Sequence, residues 1–185
     1  MKAIVYASQT GFTQRYALLL SEKTGVPAYS VKEAARKLSR NDDIFYMGWL
    51  IGGRVNGLDR ALERYAICGV GIVGMTPWGN GTLWEEARDY GGCSFSGAAV
   101  FYLRGGYTPE KLNPMHRMMM KLMAGSVSKE IQKKGEDATE AEKNMLETLL
   151  HGSDSFHEED LERVVDWFQN GSHRATLVVK PGVTV

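Results

Sequence analysis

Short apolar runs alternate with helix-like segments along the N-terminal half of the chain. The apolar runs predict five strands, at Lys2–Ala7, Ala28–Ser30, Asp43–Leu50, Val70–Met75 and Ala98–Leu103. The run Asp43–Leu50 is apolar almost throughout, as in strands that are covered on both faces. Because strands that alternate with helices are joined by crossovers, the pattern predicts an α/β fold built on a parallel sheet.

Helix signals fill the spaces between these strands. Helices are predicted at Phe12–Lys23, from the capping box Ser30–Glu33 to about Leu38, at Leu58–Tyr65 and from a second capping box at Thr82–Glu85. Gly25 follows the first of them and suits the left-handed position beyond a helix end. Each strand therefore ends in a loop at the same edge of the sheet, where open α/β sheets bind ligands.

The loop after the first strand is the strongest indication of function. Its residues are Ser8, Gln9, Thr10, Gly11, Phe12 and Thr13, and it leads directly into a helix. The first turn of a helix has free N–H groups and a partial positive charge, so it can bind a phosphate without a lysine. The three hydroxyls add donors, and Gly11 lets the backbone come close to a ligand. A simple capped turn is the alternative interpretation of the same residues.

The order of residues in this loop resembles a known cofactor site. The pattern hydroxyl-x-Thr-Gly-x-Thr after a first strand is similar to the FMN-phosphate loop of flavodoxins, with Ser8, Thr10, Gly11 and Thr13 at the matching positions. The loop has neither the Gly-Lys-Ser/Thr of a triphosphate loop nor the Gly-x-Gly-x-x-Gly of a dinucleotide fold. The resemblance covers most of residues 1–105. It implies a flavodoxin-like, doubly wound sheet of five parallel strands in the order 2-1-3-4-5, with FMN as cofactor.

Two further loops combine aromatic residues with glycines. In flavodoxins the corresponding loops pack on either side of the flavin ring and hydrogen-bond its edge through backbone groups. The resemblance therefore implies a ring site made of Trp49, Leu50, Ile51, Gly52, Thr76, Pro77, Trp78, Gly79, Asn80 and Gly105. For Trp49, a place in the core at the end of its strand is an equal alternative.

Composition narrows the class of protein. The chain of 185 residues has 22 basic and 22 acidic side chains, so no net charge attracts it to nucleic acid. We expect one domain over residues 1–185 with an insertion at about 107–153. Flavodoxins that carry electrons are usually acidic, and the neutral charge favours a dedicated enzyme or a partner that does not dock by charge.

Other chemical and targeting signals are sparse. Cys68 and Cys93 lack the spacing of a metal site or a disulfide scaffold. The four histidines show no ligand spacing, no Ser/His/Asp arrangement is visible, and neither a metal site nor a catalytic acid or base is predicted. With no signal-like segment and no long apolar run, we expect a cytoplasmic protein.

A methionine-rich helix distinguishes the insertion. Asn113-Pro114 predicts its start, and we expect it to cover Met115–Met123 and to end at Gly125. Four of its apolar residues share one face, Met115, Met118, Met119 and Leu122, while His116, Arg117 and Lys121 lie away from that stripe. Three interpretations stay open: a cover for the sheet edge, a weak contact with a membrane surface, and a deformable wall for a flat substrate beside the flavin.

The insertion also carries a narrower resemblance. The passage from Arg104–Tyr107 into the methionine-rich helix resembles the flavodoxin-type, quinone-dependent protoporphyrinogen dehydrogenases of haem synthesis. This resemblance implies electron transfer through FMN to a quinone. The sequence thus predicts an FMN-dependent oxidoreductase that acts with a redox partner or a small-molecule or quinone substrate. A soluble electron carrier and a non-enzymatic interaction module are the alternatives.

The C-terminal third yields predictions of structure only. Capping boxes at Thr139–Glu142 and Ser155–Glu158 predict helices that run to about Leu150 and to about Asn170. The second helix is expected to cover the sheet, and Ala175–Val179 is expected to form an edge strand.

Overall fold

A five-stranded parallel sheet forms the centre of the molecule. A computed structural model describes residues 1–51, 54–75 and 99–171. Within these ranges the strands are β1 (Ala3–Tyr6), β2 (Ala28–Ser30), β3 (Asp43–Ile51), β4 (Arg54–Val55), β5 (Ala66–Gly74) and β6 (Ala99–Arg104). The parallel strands run in the order β2-β1-β3-β5-β6. This is the predicted order 2-1-3-4-5 of a doubly wound, flavodoxin-like sheet, and the predicted fold class is confirmed.

One short strand was absent from the prediction. β4 pairs with the end of β3 in antiparallel fashion, with Leu50 opposite Val55 and Ile51 opposite Arg54. Two residues are too few to give an alternating pattern, so the sequence does not reveal this strand. β5 also begins at Ala66, before the predicted Val70.

Helices cover both faces of the sheet. The described helices are α1 (Phe12–Thr24), α2 (Val31–Lys37), α3 (Leu58–Leu62), α4 (Pro114–Lys134), α5 (Glu140–His151) and α6 (Glu162–Asn170). Alternate residues of β1 face opposite sides: Ala3 and Val5 pack in one core cluster with α2 and α3. Ile4 and Tyr6 pack in another with α1 and α6. None of the helices in the described ranges has the length and apolar character needed to cross a membrane.

The predicted end of the methionine-rich helix at Gly125 is wrong. α4 continues through Gly125 to Lys134 and ends before Gly135, whose φ of +56° is left-handed. Its inward residues continue past the glycine, where Val127 and Ile131 are half-buried, and α4 packs mainly against α5. This packing outweighs the roughly 1 kcal/mol that a glycine costs inside a helix.

The predicted capping box at Ser155–Glu158 is also wrong. The chain is extended at His157, forms a 3₁₀ turn at Glu158–Leu161, and only then enters α6. The reason is Tyr16, whose hydroxyl accepts a hydrogen bond from the His157 N–H (3.0 Å) and lies 3.1 Å from its carbonyl oxygen. The capping boxes at Ser30–Glu33 and Thr139–Glu142 are confirmed by their reciprocal hydrogen bonds.

Tyr16 also fixes the point where the chain leaves the sheet. Its hydroxyl donates to the carbonyl oxygen of Arg104, the last residue of β6, at 2.7 Å. Burial raises the pKa of Tyr16 to about 12, so the phenol keeps its proton at physiological pH. The segment between Arg104 and His157 therefore begins and returns at one buried hydroxyl.

Candidate functional site

The loop between β1 and α1 ends in free backbone donors. Gly11 is the N-cap of α1 with a left-handed φ of +103°, and its N–H donates to the Ser8 hydroxyl at 3.2 Å. The first hydrogen bond of the helix runs from the Arg15 N–H to the Gly11 carbonyl oxygen. The N–H groups of residues 12–14 have no partner among the described residues. These free N–H groups can donate hydrogen bonds to a bound anion.

Thr13 adds a hydroxyl donor to these amides. The residue is only 2% exposed, and its hydroxyl has no hydrogen-bond partner in the ranges that the structure describes. The same residue lines the cavity beside the loop.

An apolar cavity of about 290 Å³ adjoins the loop. Its walls come from the loop, from the ends of β3 and β5, and from one face of α4. The described residues that line it are Ser8, Gln9, Thr10, Phe12, Thr13, Trp49, Leu50, Ile51, Val73, Gly74, Met75, Gly106, Tyr107, Leu112, His116, Met119, Met120 and Met123. Eight of the residues predicted to bind the cofactor therefore lie around one space.

The remaining predicted residues divide into two groups. Gly11 lies within the loop as the helix cap, and Gly105 lies beside the cavity, where its N–H donates to the Gly74 carbonyl oxygen at 2.8 Å. Gly106, the neighbour of Gly105, lines the cavity instead. The predicted ring-site residues Gly52, Thr76, Pro77, Trp78, Gly79 and Asn80 lie outside the described residues.

The face of α4 that meets the cavity shares only Met119 with the stripe that the methionine pattern indicated. Three residues of the predicted stripe are largely exposed, with Met115 at 71%, Met118 at 65% and Leu122 at 63%. The cavity is lined by the neighbouring face, which contains His116, Met119, Met120 and Met123. Both sets have the spacing i, i+3, i+4, i+7, so helical periodicity alone cannot choose between them.

His116 is the residue that sequence reasoning missed. Its Nδ1 lies 2.7 Å from the Gln9 side-chain oxygen and 3.0 Å from the Asn113 side-chain nitrogen. Its ring meets Trp49 edge to face, with centroids 5.2 Å apart and planes at 87°. The sequence does contain a signal for the position of His116, because the N-cap Asn113 places this residue in the first turn of α4. These contacts attach the N-terminus of α4 to the loop Ser8–Thr13.

A second, more open groove of about 690 Å³ lies on the other side of these contacts. Ser8, Gln9, Trp49 and His116 line both spaces and so form the partition between them.

The inner cavity contains few titratable groups. Its described lining has no Lys, Arg, Asp or Glu, and its titratable side chains are His116 and Tyr107. Burial raises the pKa of Tyr107, whose hydroxyl donates to the Leu149 carbonyl oxygen. Across the described ranges, no group of three or more His, Cys, Asp or Glu side chains is arranged to hold a metal ion. Attraction of an anion to this site therefore depends on helix termini, hydroxyls and one imidazole.

Comparison with known proteins adds no assignment to these observations. The chain matches no protein-family model, no curated protein and no solved structure. The function has to be inferred from the site itself.

Proposed function

We propose that the chain is an FMN-binding, flavodoxin-like oxidoreductase that transfers electrons or hydride through the flavin. The observation that carries this proposal is the N-terminus of α1, where three free N–H groups adjoin an apolar cavity that Thr13 lines. A phosphate needs the first feature, and a planar ring needs the second.

The described residues fit a mononucleotide in both respects. The phosphate would accept hydrogen bonds from the amides of residues 12–14 and from the hydroxyls of Ser8, Thr10 and Thr13. The inner cavity of about 290 Å³ lies just below the roughly 300–1,000 Å³ of small-molecule sites, and the groove adjoins it. Gly11 has a left-handed φ, which lets the backbone turn around the phosphate. A Cβ at this position would meet no atom within 4 Å, but a residue with a side chain would be strained at this φ.

Each wall of the cavity has a separate task in this proposal. FMN, when bound, supplies the redox chemistry. Trp49 offers an aromatic surface to the ring, while Met119, Met120 and Met123 exclude water from it and adapt their shape to a second molecule. None of the described residues that line the cavity donates or accepts a proton in the proposed reaction. The chain thus binds and orients the reactants and excludes water from the flavin ring.

A protoporphyrinogen dehydrogenase-like activity with a quinone acceptor is the narrower form of the proposal. The position of α4 supports it, because the methionines of the insertion form a wall of the cavity. An electron carrier would need its ring edge accessible to a protein partner. A non-enzymatic interaction module is the alternative from another class, and the exposed stripe Met115, Met118 and Leu122 favours it.

Titration of the purified apo-protein with FMN, followed by flavin fluorescence, tests the proposal. Riboflavin, which lacks the phosphate, is titrated in parallel. We expect one-to-one quenching by FMN, binding of riboflavin at least about tenfold weaker, and loss of this difference in a Thr10→Ala, Thr13→Val double variant. Thr24→Val is the matched control, because its hydroxyl bonds to Leu20 at the opposite end of α1.

Two results would contradict the proposal. Equal binding of FMN and riboflavin would remove the phosphate site, and binding of neither would remove the cofactor and leave the interaction module. Where FMN binds, anaerobic photoreduction followed by mixing with a water-soluble quinone tests the acceptor. Reoxidation no faster than that of free reduced FMN would exclude the quinone form.

A further inference from the structure

We infer that His116 is a ligand-binding residue that holds the phosphorylated end of the nucleotide from the side of the insertion. Its free ring nitrogen, Nε2, donates a hydrogen bond to the phosphate, opposite the amides of α1. This role rests on the proposed phosphate site and goes beyond it, because it assigns recognition of the phosphate to α4 as well as to the loop after β1.

The first reason is the position of the imidazole. Gln9 belongs to the loop Ser8–Thr13, and the Nδ1 atom of His116 is 2.7 Å from its side-chain oxygen. Asn113, the cap of α4, approaches the same ring nitrogen at 3.0 Å. Nδ1 can donate to the Gln9 oxygen or accept from the Asn113 amide, but not both at once. Nε2, which has no partner among the described residues, donates in the tautomer whose Nδ1 accepts from Asn113 and in the doubly protonated ring. Because Trp49 contacts the ring edge to face, the ring is held at the loop with one nitrogen available.

The second reason is charge. A phosphate beside tryptophan and methionine side chains is poorly solvated, and it needs positive potential from the protein. Among the described residues that line the inner cavity, His116 is the one side chain that can become a cation. A protonated imidazole would form a charge-assisted hydrogen bond, which is about twice as strong as a neutral one.

The third reason is the direction of the two helices. α1 and α4 both begin at this site, at Gly11 and at Asn113, and His116 joins the two beginnings through Gln9. Each helix N-terminus has a partial positive charge that favours a nearby anion, and His116 contacts the loop that precedes α1.

The competing role for His116 is purely structural. In that role the imidazole only pins α4 to the loop or packs against the ligand ring together with Trp49. A structural role predicts that substitution weakens binding of FMN and riboflavin to the same extent. A phosphate-binding role predicts that the preference for FMN over riboflavin is lost.

Affinities of three variants for FMN and riboflavin distinguish these roles. His116→Phe keeps a flat ring against Trp49 but has no donor, and we expect FMN binding to weaken about tenfold more than riboflavin binding does. His116→Gln restores a donor and should recover part of the preference. His151→Gln changes an exposed histidine of α5 and should bind both ligands as the wild type does. Equal loss for both ligands, or no loss for either, would overturn the inference.

Inorganic phosphate separates this inference from the proposed cofactor. The imidazole resonances of His116, assigned by comparison with His116→Phe, are followed while phosphate is added to the wild-type protein. A saturable shift supports the inference even if the wild type binds neither FMN nor riboflavin, in which case only the proposed function fails. No shift with phosphate, in a protein that also binds no FMN, overturns both.

Discussion

Arg104 and Asp160 form a two-point ion pair that ties the end of the sheet to the turn before α6. The Arg104 Nη2 lies 2.8 Å from Asp160 Oδ1, its Nε lies 3.0 Å from Oδ2, and its backbone N–H donates to Oδ2 at 3.0 Å. Tyr16 bonds to the carbonyl oxygen of the same arginine. Side-chain exposure is 37% for Arg104 and 16% for Asp160, so water screens the pair only in part.

Replacing Asp160 with asparagine should destabilise the fold by about 1–2 kcal/mol, because the guanidinium loses a charged, two-point acceptor. The free energy of unfolding in urea measures the loss. Glu158→Gln is the matched control on the same turn, since it removes a more exposed pair with Lys23 and should have a much smaller effect. Equal losses in the two variants would show that the Arg104–Asp160 geometry has no special value.

The same pair predicts a dependence of stability on pH. Burial opposes the charge of Asp160, but its hydrogen bonds with Arg104 prevail and hold its pKa below the ordinary value of 3.8. A depressed folded-state pKa contributes stability that is complete above the unfolded value and is lost as the pH falls through the folded value. The stability difference between wild type and Asp160→Asn should therefore be constant near neutral pH and shrink in acid. A difference that grows below pH 4 would contradict this assignment.

Thr13→Val should separate binding from stability. The two side chains have the same shape, and the Thr13 hydroxyl has no partner among the described residues. The variant should be about as stable as the wild type, because removing the hydroxyl breaks no hydrogen bond among the described residues. Its affinity for a phosphorylated ligand should fall about tenfold. Thermal unfolding without ligand, combined with titration, measures both, and a clear loss of stability would mean that the hydroxyl serves the fold.

Gly106→Ala should loosen the insertion. A Cβ at this position would overlap the Ser153 carbonyl group, which lies on the chain that returns from α5. We expect a loss of about 2–3 kcal/mol in the free energy of unfolding. Gly125→Ala is the control, because a Cβ there meets nothing within 4 Å and the helix should gain about 0.5–1 kcal/mol. Similar effects of the two substitutions would show that the Gly106–Ser153 approach is not tight.

The exposed stripe of α4 predicts weak binding to anionic vesicles. Met118 and Leu122 present apolar surface to solvent, and the exposed Arg117 and Lys121 lie on the same helix. Sedimentation with phosphatidylserine vesicles should detect binding that a Met118→Gln, Leu122→Gln variant loses and that salt weakens. Neutral vesicles serve as the control. Unchanged binding of the variant would exclude this face as the contact.

The sheet and the loop after β1 could be predicted because their signals are local. Each of the five parallel strands has its own apolar run, and Gly11 follows hydroxyl residues at the point where β1 leads into α1. Strand order then follows from the resemblance that this loop carries. Neither conclusion depends on a contact between distant parts of the chain.

The arrangement of the insertion could not be predicted because it depends on such contacts. The run Met118–Met120 supplies apolar residues to two helix faces, and the attachment of His116 to Gln9 decides which face turns inward. Continuation of α4 past Gly125 depends on packing against α5. The capping box at Ser155 is displaced by hydrogen bonds to Tyr16, a residue far away in the sequence.

The return of the chain to Tyr16 makes the insertion an exchangeable cassette. It leaves the sheet at Arg104 and comes back at His157, and both carbonyl oxygens lie within hydrogen-bond distance of one hydroxyl. An antiparallel bridge between Tyr107 and Ser153 closes its base. With the ends fixed side by side, a doubling of the length between them costs only about 0.6 kcal/mol. Evolution, or an engineer, could therefore replace the cassette and change what reaches the cavity while the sheet and its loop stay as they are.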